Sequence, residues 1–278
     1  MKKIRYILTL LLLFTNISFA QQNEINIKAT LNTNTNSLNV QQEIIYYNNS
    51  KETLNHIFLH NWANSFKDRK TPLSKRFIED FRKDLYFAKQ EDLGFSEVKN
   101  ISINYNNITY KELKNRKDII QLFLENAIKP NESVTINITY IIKIPNAKYT
   151  GYGFYKNGYR LRYWYITPAI YNQGWQLMSN LNLDDLYEDY TTFNIDLKIP
   201  KQLHLTGSLK QIKKSDKTQN SFHLYGKNEK DVLVDIQKTN TFKKFTTATH
   251  EIQTNILDEE ISTSLTENLL NRELQFLT

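Results

Sequence analysis

The 278-residue chain contains no cysteine, only 7 glycines, 5 prolines and 2 methionines. Without cysteine there can be no disulfide framework, no thiol nucleophile and no thiolate metal site, so the fold must be held by core burial alone. Scarce glycine leaves no glycine-rich phosphate loop, and no Gly-x-Ser-x-Gly nucleophile elbow occurs. Long hydrophobic runs are also missing. The longest, Leu8–Phe14 with Ile7, is about seven residues, against the roughly twenty a membrane span needs.

That run has the layout of a secretory leader. Lys2, Lys3 and Arg5 precede it, and Ser18-Phe19-Ala20 places small residues where a signal peptidase cuts. Residues 1–20 are therefore expected to be a signal peptide cleaved before Gln21, with the remainder exported to the periplasm or beyond. No cysteine follows the run, which argues against a lipoprotein. The formal charge is +7, and the three leader cations account for almost half of it. The basic residues between Lys67 and Lys83 are interleaved with Asp68, Glu79 and Asp80, as on a solvated helix face rather than a nucleic-acid stripe. The sequon Asn137-Ile138-Thr139 follows from a composition rich in Asn, Ile, Lys and Tyr.

Period-two alternation dominates the rest. Val134, Ile136, Ile138, Tyr140, Ile142 and Ile144 mark one buried strand face; Phe193, Ile195, Leu197 and Ile199 mark another that stops at Pro200. Ile25–Leu31, Leu38–Tyr47, Ile101–Tyr105 and Ile119–Leu124 read as further strands, and Phe222–Tyr225, Val232–Ile236, Phe242–Thr246 and His250–Asn255 as weaker ones. Turn chemistry separates them: Lys129-Pro130-Asn131-Glu132 precedes the long strand, and the Asn157-Gly158 pair is a hairpin signal. The expected fold is mainly β, a saddle-like β-sandwich of curved sheets over residues 21–256.

Two segments depart from alternation. Pro72–Ala88 carries Leu73, Phe77, Phe81 and Leu85 at helical spacing behind a Thr71 cap, so one inserted helix is expected there. Ser264-Leu265-Thr266-Glu267 has the form of a capping box ahead of an apolar stripe through Leu277. Residues 257–278 are therefore expected to form a C-terminal helix that opens a second domain, the alternative being a helix docked back on the sheet.

Chemistry is sparse. His56 and His60 have His-x-x-x-His spacing, but no glutamate follows the first histidine and the run reads as a strand, so no metal site is assigned. Asp184, Asp185, Glu188 and Asp189 form an acidic cluster that reads as a solvated loop. The aromatic stretch from Tyr149 to Trp175 is the most informative. Either it is a core strand, Tyr159–Ile166, with flanking loops, or it is a binding surface whose rings and polar tips suit peptide or sugar. On the second reading the candidate substrate-binding residues are Tyr163, Trp164, Pro168, Tyr171 and Trp175.

This stretch resembles the N-terminal domain of the aminopeptidase N and leukotriene hydrolase family of gluzincin zinc metallopeptidases, in its divergent exported bacterial branch. The resemblance rests on Arg162-Tyr163-Trp164-Tyr165-Ile166-Thr167-Pro168, Gly174-Trp175, the segment Asp184–Tyr190, the strand Phe193–Pro200, and the early strand Leu54–Asn61. Leu269–Leu277 resembles the first helix of the family's catalytic domain. The resemblance implies a saddle-shaped, non-catalytic β-domain that walls the substrate cleft, with a second domain as partner, a peptide as substrate and zinc held by that second domain's His-Glu-x-x-His. That motif does not occur here, so no catalytic residue and no cofactor is assigned to this chain. Two other readings remain: a free-standing secreted module that binds peptide or carbohydrate, and a structural protein of the envelope.

Overall fold

The computed structural model describes residues 21–183, 186–246 and 251–254, together with Asn268 and Arg272, which are helical. The expected signal peptide, Asp184 and Asp185, and the rest of the expected C-terminal helix lie outside the described residues.

The fold is a β-sandwich. Its larger layer is an eight-stranded sheet. The strands are β1 (Asn23–Asn32), β2 (Ser37–Tyr47), β4 (Phe95–Ile103), β5 (Asn106–Asn107), β8 (Ser133–Lys143), β14 (Thr191–Pro200), β16 (Lys210–Ser215) and β17 (Gln219–Glu229). Their order is β16-β17-β14-β1-β2-β8-β4-β5. All neighbours run antiparallel except β1 and β14, which pair in parallel with Ile25 beside Phe193 and Ile27 beside Ile195. Against it lie two four-stranded sheets. One contains β3 (Leu54–His60), β6 (Tyr110–Leu113), β7 (Arg116–Ile128) and β11 (Thr167–Pro168). The other contains β9 (Gly153–Tyr155), β10 (Gly158–Leu161), β15 (His204–Gly207) and β18 (Val234–Gln237).

Alternation explains this architecture. Inward rows such as Ile136, Ile138, Tyr140 and Ile142 meet Ile57, Leu59, Ile120, Leu122, Val234 and Ile236 of the smaller sheets in one continuous core. Each fully buried aliphatic side chain contributes roughly 1.5–3 kcal/mol, enough to dispense with disulfides. One inward position breaks the pattern. Gln42 points into the core between Val40 and Ile44 and is 3 % exposed.

The turns fall close to where their residues place them. Asn131 takes a positive φ of 64° between β7 and β8. The β9–β10 hairpin forms, but Gly158 is already in the strand opposite Tyr155, so the turn is made by Lys156 and Asn157. Glycine is needed at 158 for another reason: a Cβ there would lie 1.9 Å from the carbonyl oxygen of Ile236 on β18.

The inserted helix is shorter than its periodicity suggests. Helix α1 spans Pro72–Glu79, with the Thr71 hydroxyl accepting from the Ser74 amide as expected of the cap. It stops because Phe81 adopts a φ of 59° and the Arg82 amide donates to the Phe77 carbonyl, a Schellman-type ending with phenylalanine where glycine is usual. Phe81 is thereby turned out, 94 % exposed, whereas Leu73, Phe77 and Leu85 join Phe66, Leu93 and Tyr149 in a second small core.

Candidate functional site

The aromatic stretch does not behave as one unit. After β10 ends at Leu161, residues 162–166 are irregular, which corrects the expectation of a strand to Ile166. The cause is in the core. The Gln42 side chain accepts from the Ile166 amide at 3.2 Å, donates to the Ile166 carbonyl, and takes the Tyr140 hydroxyl hydrogen on its oxygen. It thus uses the main-chain groups that a neighbouring strand would otherwise pair. Tyr163 completes the break with a φ of 54°.

Three of the five candidate residues consequently sit inside. Tyr163 packs edge-on against Trp62, 5.2 Å between centroids, in a cluster with Leu186 and Met178. Trp164 lies in the main core, perpendicular to Tyr165. Pro168 is buried in β11, opposite Leu59 of β3.

Tyr171 and Trp175 are different. They belong to the short hairpin of β12 (Ile170–Tyr171) and β13 (Trp175–Gln176), and both are half-buried. Trp175 lies edge-on to Tyr171 at 5.2 Å and to Phe58 at 5.7 Å, and tilted against His56 and Tyr46 at 6.2 Å each. The Tyr171 hydroxyl donates to the Glu52 carboxylate at 2.6 Å. That bond raises the Tyr171 phenol above its ordinary value. On β7, Phe123 pairs with His56 in register and is partly exposed, extending the same surface. The result is an aromatic surface on the outer side of β3, with Trp175 at its centre.

The chain just after Trp175 is anchored by buried polar side chains, of which the sequence singles out only His60, and that for its spacing. His60 stacks on Trp62 at 4.7 Å, and its Nε2 accepts from the Met178 amide while the Trp62 indole donates to the Met178 carbonyl. Just beyond Met178, Asp118 accepts from the Ser179 hydroxyl and the Asn180 amide, each at 3.1 Å, and Arg116 donates to Ser179. Burial pushes the Asp118 carboxyl up, and burial with the nearby Arg116 charge pulls His60 down to about 3. His60 is therefore a neutral acceptor at physiological pH. The sequence signals were a histidine and an aspartate inside strand-like runs; their hydrogen-bond partners lie 61 and more residues away.

The acidic cluster is also divided. Asp189 is exposed, but Glu188 is 8 % exposed and one of its carboxylate oxygens has no partner, so the solvated-loop expectation fails for this residue. Burial, aided by the Asp231 charge, pushes its carboxyl well above the usual range. Asp231 is engaged by Arg162 at 2.6 Å, and Arg162 also donates to the Tyr152 hydroxyl at 3.2 Å.

No set of three or more His, Asp or Glu side chains able to hold a metal occurs among the described residues. His56 and His60 follow the strand, and the Nε2 of His60 is already bonded to the Met178 amide, so the two rings do not converge on a shared ion. No helix among the described residues is long and apolar enough to cross a membrane.

No family model matches the sequence, and no curated protein matches it. Solved structures do. An M1 zinc metallopeptidase from Deinococcus radiodurans superposes with a TM-score of 0.52 at 9 % identity, covering 90 % of this chain and 52 % of that one. A two-domain M1 zinc metallopeptidase variant with bound L-tryptophan gives 0.51 at 11 % identity, with 90 % and 53 % covered. A variant of the Deinococcus radiodurans enzyme bound to a Tyr-Ser-Ala substrate gives 0.51 at 10 % identity, with 90 % and 52 % covered. The chain thus has an N-terminal-domain-like fold of the M1 metallopeptidases and spans about half the length of these structures. At this identity the likeness is one of fold.

Proposed function

We propose that this chain is the non-catalytic β-domain of an exported, aminopeptidase-like zinc metallopeptidase, and that it helps to wall the substrate cleft. The observation that carries the reading is the fold likeness over 90 % of the chain against about half of each metallopeptidase. The aromatic surface supports it. Half-buried Trp, Tyr and Phe side chains, fixed from beneath by buried polar bonds, are the residue types that dominate protein interfaces and peptide contacts. In this reading Trp175, Tyr171, Phe58 and His56 face the catalytic domain or the peptide in its cleft, and Tyr163, Trp164 and Pro168 position them from the core. Zinc, and the water it would activate, belong to that other domain. Export follows from the leader-like first twenty residues.

The test is the isolated chain. Purified residues 21–278 should bind no stoichiometric zinc and should not cleave aminoacyl anilides with zinc supplied. Zinc-dependent cleavage by this chain alone would overturn the proposal.

A further inference from the structure

The outward face of the eight-stranded sheet has a character of its own. The sheet curves around a groove of about 780 Å³, and an adjoining hollow of about 440 Å³ shares Lys28, Gln41, Thr139 and Asp196 with it, so the two form one trough. Register sets its lining. Asp196, Lys28, Gln41 and Thr139 lie side by side across β14, β1, β2 and β8. Asn194, Asn26, Glu43 and Asn137 form the next row. In that row Asn194 donates to Asn26 at 2.9 Å and Asn26 to Glu43 at 3.0 Å, while the Asn137 amide nitrogen has no acceptor.

The charge in the main groove is unbalanced. Lys28, Lys198 and Lys214 make no ion pair among the described residues; Lys99 is held by Glu97. Among the described residues Asp196 is the one carboxylate lining that groove, 2.9 Å from the His223 ring nitrogen, and the adjoining hollow adds Glu43, which accepts from Asn26. Three free ammonium groups therefore stand among amides and hydroxyls, Lys28 and Lys198 over the central strands β1 and β14 and Lys214 on the edge strand β16.

Over β17, β14, β1, β2 and β8, each paired on both sides, the face offers a ligand side chains only, and in this trough main-chain groups free to pair with an extended peptide lie only along the outer edge of β16. The aromatic residues in the groove wall, Tyr140 and Phe222, are buried, so there is no platform for the stacked bases of single-stranded nucleic acid. A chain with many hydroxyls and regularly repeated carboxylates fits both the hydrogen-bonding row and the cations. We propose that this trough binds an acidic polysaccharide of the uronate type, with carboxylates on Lys28, Lys198 and Lys214 and hydroxyls on Asn39, Gln41 and Thr139. The inference does not depend on the peptidase reading, since the trough lies on the outer face of the large sheet and the aromatic surface on the small ones.

Calorimetric titration of the purified chain with oligogalacturonate tests it. Binding should weaken about tenfold in the triple variant Lys28→Gln, Lys198→Gln, Lys214→Gln, as expected for three partly exposed charges. The pair Asn39→Ala and Gln41→Ala should weaken it several-fold with the charge unchanged. A control replacing the exposed Lys89, Lys129 and Lys156 by Gln should bind as the parent does, and all variants should melt with the parent. Absence of binding, equal affinity for a neutral glucan, an equal loss in the control, or tighter binding of single-stranded DNA than of the uronate would each overturn the proposal.

Discussion

The trough face of the large sheet and the aromatic surface around Trp175 are built by opposite means. The trough is a product of regular pairing: β1, β2, β8 and β14 are ten or eleven residues long and in continuous register, so each outward side chain is placed by the ladder itself. The aromatic surface depends on strands of two residues, β12 and β13, which a ladder alone cannot fix. It is positioned instead by individual side chains: Gln42 beneath residue 166, His60 and Trp62 on Met178, Asp118 on Ser179 and Asn180. Function on the first face should therefore resist single substitutions, and function on the second should be sensitive to substitutions far from it.

The sharpest way to break the contrast is at Gln42. Gln42→Leu leaves the Ile166 amide and carbonyl and the Tyr140 hydroxyl without partners in the core. At about 1–3 kcal/mol for each orphaned group, partly relieved by relaxation, a loss of about 4 kcal/mol is expected in urea unfolding.

Acid comes next. The His60 value in the folded state lies below its unfolded one, so its contribution is intact above the ordinary histidine value of about 6.5 and is lost as pH falls toward about 3. Within that window stability should fall more steeply with decreasing pH in the parent than in a His60→Gln variant. A pH series of denaturant midpoints reads the difference.

Glu188 gives the opposite sign. Its folded value is raised, so stability is intact below the ordinary carboxylate range and is lost as pH rises toward the raised value. Glu188→Gln should raise Tm at pH 8 and leave it unchanged at pH 4. The smallest effect belongs to the trough. Lys28→Gln, Lys198→Gln and Lys214→Gln should each shift stability by no more than about 0.5 kcal/mol, because each side chain is exposed and unpaired.

What the sequence reveals follows the same division. The long strands are legible because alternation is local: Ile25–Leu31, Leu38–Tyr47 and Phe193–Ile199 carry their own burial pattern. The exception within such a row, Gln42, was visible as a polar residue at an apolar position, but its partner is 124 residues away and cannot be read from either segment. The inserted helix was legible at its start, where Thr71 and Pro72 carry the cap. Its end was not, because a phenylalanine in the left-handed region leaves no compositional mark. Of the candidate site, aromatic content alone drew Tyr163, Trp164, Pro168, Tyr171 and Trp175 together. Separating the buried three from the surface pair required the hydrogen bonds of Gln42, His60 and Asp118, which act through folding and not through spacing.

That this chain is the β-domain of a larger zinc peptidase is most directly tested on the native polypeptide, captured from its source with an antibody to residues 21–246. Its mass, metal content and activity are the quantities to measure. A product roughly twice as long as this chain, carrying one zinc and cleaving aminoacyl substrates, is expected from the half-length coverage of the metallopeptidase structures. A zinc-free, inactive product of this chain's own mass would contradict it.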